Sequence, residues 1–206
     1  MPPGSQLTRL VLDWDGTITE RDTLHMAIEE FGDVELFHAL EEQVGRELTL
    51  NEVIAVEMGT ISAPFDAVLD WLLDTVVVRP GLPELVAAHD PLIISAGFHE
   101  LIEPVLAREG VAATVVANSI EADPTGWRST FLEREACDVC GEPCKRVALA
   151  GTATYVYVGD GISDRCASLA AERVFARSGL AQYLTAQGVP FEPFEDLNDV
   201  REALEA

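Results

Sequence analysis

The chain has 206 residues, 48% of them hydrophobic, which suits one folded domain with an insertion and argues against disorder. With 36 acidic residues against 13 basic ones the net charge is −23, which speaks against nucleic acid as a partner, because phosphate contacts need clustered Lys and Arg. No apolar run approaches the roughly 18 residues of a membrane span, and the start Met1-Pro2-Pro3-Gly4-Ser5-Gln6 lacks a basic-then-apolar leader pattern, so the expected location is the cytoplasm.

In chain order, Leu10 to Asp15 reads as a buried strand running into Gly16-Thr17. Strand side chains alternate, so Asp13 and Asp15 are expected on one side with Trp14 turned into the packing. Two carboxylates that close repel unless one is protonated or a cation lies between them, which points to metal-dependent chemistry. By itself, Asp-Gly-Thr also makes an ordinary turn. Asp22 to Glu30, Val34 to Val44, Thr49 to Met58 and Pro64 to Asp74 have helical periodicity. This acid-rich stretch reads as a helical cap, closed by Arg79-Pro80-Gly81.

From there strand and helix alternate. Leu85 to His89 is helical, Pro91 to Ile94 a strand, His99 to Glu109 a helix and Thr114 to Ala117 a strand. Ile120 to Phe131, broken at Asp123-Pro124-Thr125-Gly126, reads as a hairpin excursion. Next come a cysteine-bearing loop, a helix from Cys144 to Ala150, the strand Thr154 to Val158 and a helix from Ser163. The alternation implies an α/β fold: a Rossmann-like, doubly wound parallel sheet with an all-helical cap inserted after the first strand.

Ligands of such sheets bind at the carboxyl ends of strands. Beyond the aspartate pair, Ser95 in Ile94-Ser95-Ala96-Gly97-Phe98 can donate to a phosphate oxygen, as can N–H groups near Gly97 at the following helix start. A turn-shaping or capping serine is the bland alternative. Lys145 is the one lysine in the chain, where every other basic residue is arginine, and a compact ammonium suits a tight phosphate pocket. Gly159-Asp160-Gly161-Ile162-Ser163-Asp164 offers hard oxygen ligands of the kind Mg²⁺ takes. Asp160 would bind the metal, and Asp164 would reach it through water or hold Lys145.

The order of these four segments resembles the haloacid dehalogenase superfamily of phosphatases, whose motifs stand here as Asp13-Trp14-Asp15-Gly16-Thr17, Ser95, Lys145 and Gly159 to Asp164. The likeness spans nearly the whole chain. Ser95-Ala96-Gly97-Phe98 is similar to the Ser-Gly-Gly-Phe of the phosphoserine phosphatase branch. The cysteine loop running into Cys144-Lys145 and the tail Val174-Phe175-Ala176-Arg177 look more like the methionine-salvage ketoenol phosphate phosphatases within that branch. Trp14 stands where Phe is usual and Ala96 where Gly is common.

The resemblance implies residues 1–19 and 78–206 as core and 20–77 as cap, and an Mg²⁺-dependent phosphomonoester hydrolase. It implies Asp13 as the nucleophile that becomes phosphorylated and Asp15 as the acid and base. Asp13, Asp160 and the backbone carbonyl of Asp15 would be metal ligands, with Ser95, Ala96, Gly97 and Lys145 around the phosphate. Asp22 would meet the far end of the substrate, although a helix N-terminal acid needs no such role. A phosphotransferase or mutase using the same intermediate, or a binding protein that has kept the fold, are the rival readings. A small phosphomonoester is the expected partner, with no nucleic acid or membrane, in a monomer or homodimer. Cys137, Cys140 and Cys144 could hold Zn²⁺ only with a fourth ligand, such as Cys166 if the fold brings it close; ordinary loop thiols are the favoured reading. Of the four histidines, His99 alone is expected near the site, as a helix-start residue.

Overall fold

A computed structural model describes residues 8–152 and 154–206. The Met1 to Gln6 stretch, and with it the first seven residues assigned to the core, lie outside them. The chain begins with strand β1 (Arg9–Leu12), followed by helices α1 (Thr23–Phe31), α2 (Val34–Glu41), α3 (Leu50–Met58) and α4 (Phe65–Thr75). Then come α5 (Leu82–His89), β2 (Leu92–Phe98), α6 (His99–Arg108), β3 (Thr114–Glu121), β4 (Arg128–Thr130) and α7 (Lys145–Ala148). The last third holds β5 (Tyr155–Gly159), a 3₁₀ turn at Ile162–Asp164, α8 (Arg165–Ser168), β6 (Arg173–Ala176), α9 (Ser178–Gln187), β7 (Glu192–Pro193) and α10 (Leu197–Glu205).

The strands form one seven-stranded sheet in the order β4-β3-β2-β1-β5-β6-β7, parallel except for the β3–β4 hairpin. In register, Leu10 and Leu12 lie beside Val156 and Val158, and these four belong to one core cluster. Val11 lies beside Tyr157 in a second cluster on the other face. A parallel sheet covered on both faces requires this continuous apolar run, and its helices supply the covers. Among the described residues no helix is long and apolar enough to cross a membrane.

Sequence order reverses at β1: β2 and β3 add on one side, β5 to β7 on the other, opening the crevice where such sheets take ligands. The four inserted helices lie between β1 and this return to the sheet. Three of their starts are capped by side chains: Asp22 accepts from the N–H groups of Leu24 and His25, Asp33 from that of Leu36, and Thr49 and Glu52 form a reciprocal capping box. Leu24, Phe37, Ile54 and Met58 join the same apolar cluster as Trp14 and the sheet. Two linkers carry the insertion. Thr19 and Val78 pair as an antiparallel bridge, Glu20 N–H donates to Val77 O at 2.9 Å, and Arg79 N–H donates to Ile18 O at 2.8 Å.

Several boundaries differ from expectation. β1 ends at Leu12, not Asp15, because the N–H groups of Thr17, Ile18 and Thr19 turn back onto the Trp14 carbonyl. β2 runs on through Ser95-Ala96-Gly97 to Phe98, so these residues lie within an irregular strand end and Gly97 is not at the start of α6. The helix after Cys144 is a single turn, Lys145–Ala148, and a 3₁₀ turn precedes α8 where a helix was expected from Ser163.

Candidate active site

Asp13 N–H still donates to Val158 O at 2.9 Å, so the nucleophile candidate stays clamped to the end of β5 although its own strand has stopped. Its carboxylate accepts from the Lys145 ammonium on one oxygen and, at 3.4 Å, from the Thr17 hydroxyl on the other. The same hydroxyl lies 3.4 Å from Asp160 Oδ1. Lys145 Nζ donates in turn to Asp164 Oδ1 at 2.7 Å. Asp164, fully buried, also accepts from the Tyr157 hydroxyl at 2.7 Å and from the N–H groups of Asp160 and Gly161, each at 2.9 Å. Both its oxygens are engaged, so Asp164 holds Lys145 and shapes the loop and is not a free ligand.

Charge states follow from these contacts. Burial would drive Asp164 up, but the Lys145 ammonium and its hydrogen-bond donors hold it below the ordinary carboxylate range. Burial disfavours the Lys145 cation, yet Asp13 and Asp164 outweigh it and raise its pKa. Asp13 is raised by burial and then by the charge of Asp164, an effect Lys145 only partly offsets. Burial and then Asp164 push Asp160 up to about 6. Carboxylate oxygens of Asp13, Asp160 and Asp164 all lie within 4.8 Å of one another. Three acids against one ammonium leave a deficit of positive charge that a hard divalent cation between Asp13 and Asp160 would make good.

Asp15 lines the same cavity as Asp13 but takes partners of its own. Its Oδ1 accepts from Thr23 N–H at 2.8 Å and from the Thr23 hydroxyl, and Ser95 Oγ lies 3.4 Å from Oδ2. Burial and then the charge of Asp22 push Asp15 up to about 7, where it can both give and take a proton. Gly97 N–H donates to Ser95 Oγ at 2.8 Å, and a Cβ on Gly97 would lie 3.1 Å from that oxygen and 3.2 Å from Asp15 Oδ2. Ala96 is positioned through its carbonyl, which accepts from Asn118 Nδ2 at 2.7 Å. Asp13, Asp15, Asp22, Ala96, Gly97 and Asp160 line one cavity of about 490 Å³. Ser95, Ala96 and Lys145 line an adjoining one of about 380 Å³ that reaches the cysteine loop.

The remaining candidates separate. Asp22 caps α1, as the bland reading had it, while also lining the larger cavity. His99 is tied to Glu103 at 2.9 Å and accepts from Ala117 N–H, so it stays a helix-start residue. Cys137, Cys140, Cys144 and Cys166 do meet, their thiols mutually within 4.8 Å. The histidine at the site is His25, which lines the larger cavity as His99 does not, and sequence reading missed it along with Tyr157 and Glu57. Tyr157 was traceable, lying two residues before Gly159 on a strand. Glu57 falls in the buried stripe of Val53, Ile54 and Met58, a spacing that turns an acid inward.

Residues 10–168 match the model of a family described as haloacid dehalogenase-like hydrolase. The chain belongs to that family. It is 30% identical over 213 residues to a 2-hydroxy-3-keto-5-methylthiopentenyl-1-phosphate phosphatase of Brevibacillus brevis, covering 93% of this chain and 92% of that one. A protein of the same name from Microcystis aeruginosa is 27% identical over 93% of this chain and 95% of its own. The fold of this haloacid dehalogenase-like hydrolase is shared with a phospho-aspartyl intermediate analogue of phosphoserine phosphatase at TM-score 0.68 and 16% identity, covering 95% of this chain and 98% of that one. Phosphoserine phosphatase from T. onnurineus gives 0.68 at 19% identity, covering 97% and 95%. Within the family, the chain is a phosphatase.

Proposed function

We propose that the chain hydrolyses a small phosphomonoester through phosphorylation of Asp13, with Mg²⁺ as cofactor. The observation that carries this reading is the convergence of Asp13, Lys145, Asp160 and Asp15 on one buried crevice. An Asp13 carboxylate oxygen attacks phosphorus and the ester P–O bond breaks, while Asp15 gives its proton to the departing oxygen. Asp15 then takes a proton from water, whose oxygen attacks phosphorus and releases inorganic phosphate and Asp13. Ser95 Oγ, Lys145 Nζ and the backbone at Ala96 hold the phosphoryl oxygens, joined by the Gly97 N–H when it turns from Ser95 Oγ to the phosphate. Mg²⁺ would be held by the carboxylates of Asp13 and Asp160 and the carbonyl of Asp15, and when bound it supplies the charge that lets an anionic nucleophile approach a phosphate. Residues 20–77 act as the cap on a core formed by the rest of the chain.

The cap side of the larger cavity narrows the substrate. Glu20, Asp22, Glu41 and Glu57 line it with His25 and the apolar Leu24, Val44, Leu50 and Ile54; among the described residues no lysine or arginine does. A leaving group held by Asp15 enters this space. A carboxylate on it, as in phosphoserine, would face four acids with only the His25 imidazole to meet it. The compound for which the relatives are named carries hydroxyl, keto and methylthio groups and no carboxylate, which suits donors toward the acids and the thioether against the aliphatic wall. Phosphate release in Mg²⁺ should favour that ketoenol phosphate over phosphoserine by about 100-fold in kcat/KM, with EDTA abolishing both. Preference for phosphoserine would refute the substrate assignment. Phosphate passed from Asp13 to an added sugar phosphate, without release to water, would make the enzyme a transferase.

A further inference from the structure

All four cysteines of the chain meet at one point, although Cys166 lies 22 positions after Cys144. Cys137 and Cys140 come from the loop after β4, Cys144 from the residue before α7, and Cys166 from α8. No disulfide joins them. A metal site and a pair of bridges differ in their sulfur spacing. Four thiolates at about 2.3 Å from one tetrahedral ion lie about 3.8 Å from each other, whereas a disulfide brings two sulfurs to about 2.05 Å. Every pair here falls within 4.8 Å, as a common centre requires.

The loop is folded for such an ion. Val139 N–H points at Cys137 Sγ at 3.4 Å, Gly141 N–H closes a turn on the Cys137 carbonyl at 2.8 Å, and Gly141 holds φ at +76°. Cys137 N–H and Cys144 N–H both donate to the Glu142 carbonyl, at 2.9 and 2.8 Å, drawing the two ends of the loop together. Arg134 and Arg165 line the same cavity as Cys140, Cys144 and Cys166, and each keeps a buried guanidinium nitrogen, Nη2 and Nε, without a partner among the described residues. Four thiolates around a divalent ion carry two net negative charges, which these guanidinium groups would oppose, with Glu142 also lining the cavity and Arg165 stacked on Tyr183.

We infer that Cys137, Cys140, Cys144 and Cys166 form a tetrathiolate site for one Zn²⁺ ion, which clamps the turn carrying Lys145 onto the helix that follows Asp164. Binding displaces the four thiol protons, and soft sulfur ligands in a closed tetrahedron select Zn²⁺ over the hard Mg²⁺. The clamp has a mechanical purpose. α7 is one turn of four residues, too short to hold itself, yet it must keep Lys145 against Asp13 and Asp164. Cys144 is the residue before Lys145, and Cys166 lies two after Asp164.

The intact protein, grown with added zinc and purified under reductant without chelator, should carry one zinc per chain by mass spectrometry of the metals. After zinc is stripped and replaced by Co²⁺, it should show the thiolate-to-cobalt charge-transfer band and the strong red d–d absorption of a tetrahedral sulfur site. Replacing the exposed Cys140, as Cys140→Ser, should bring zinc well below one per chain and lower Tm by about 5 °C or more. Zinc well below stoichiometry in the unaltered protein with four titratable thiols, or a mass two hydrogens lighter from a Cys137–Cys140 disulfide, overturns the inference. The metal count needs no substrate, so its failure leaves the phosphatase reading untouched, and the reverse holds as well.

Discussion

The floor of the crevice and the wall that the inserted helices build over it are both acidic, but on opposite terms. On the floor, Asp13 and Asp164 have protein donors to lean on, Lys145 for Asp13, and Lys145, Tyr157 and two backbone N–H groups for Asp164, while the remaining charge of Asp160 calls for a cation. On the wall, Glu57 is 3% exposed, yet its Oε1 has no hydrogen-bond partner among the described residues. Burial, then the charges of Glu41 and Asp22, push its pKa up to about 8. A compensated charge fixes geometry, whereas an uncompensated acid stores demand for a donor that arrives from outside. The floor is therefore built for chemistry that stays the same, and the wall for a ligand that comes and goes.

The contrast can be broken first at the nucleophile. Asp13→Asn should reduce turnover on the order of 10⁴-fold or more while Lys145 keeps Asp164, so thermal unfolding moves by only a few degrees. Turnover within tenfold of the parent would remove Asp13 from its role. Lys145→Met should then cost about 3–5 kcal/mol in urea unfolding, because two buried acids lose the cation they share. A variant as stable as the parent would show that the floor does not depend on pairing. Gly16→Ala is subtler: Gly16 holds φ at +72°, and its new Cβ would fall 2.3 Å from Asp160 Oδ2. We expect about tenfold more Mg²⁺ for half-maximal rate and a cost of about 1–2 kcal/mol.

Glu57→Gln should have the smallest effect on stability, and a pH-dependent one. Its carboxyl titrates near 8 in the folded protein against an ordinary 4.5, so the native state holds the proton longer than the unfolded chain. Folding free energy from this group therefore falls as pH rises from about 4.5 to 8. The glutamine variant should match the parent at the acid end of that window and melt higher at pH 8. Equal slopes in both proteins would place a hidden partner on Glu57.

Much of the floor was legible because it sits on strands. Leu10-Val11-Leu12 and Tyr155 to Val158 announce buried strands by unbroken apolar character, and each run gives way to a polar strand end. Glycines then mark where the chain must bend. Lys145 stood out by composition alone, since arginine fills every other basic position. What stayed hidden depends on tertiary proximity. Cys166 could be named as a fourth thiol but not placed until α8 folds beside the cysteine loop, and Tyr157 reads as core until Asp164 returns under it. Single turns such as α7 and α8 are too short to show a period. At Ser95 to Phe98 the Ala-Gly pair suggests a turn, whereas pairing with β3 carries the strand through to Phe98.

One consequence concerns the joint at Thr19 and Val78. Since the outgoing and returning strands are hydrogen-bonded side by side there, the stretch between them is a closed cassette whose entry and exit already touch. Arg79 staples that doorway, donating to the carbonyls of Gly16, Glu20 and Glu195, each at 3.3 Å. A different helical cassette can be joined at the same two residues, provided that it restores the apolar face that Leu24, Phe37, Ile54 and Met58 lay on the core.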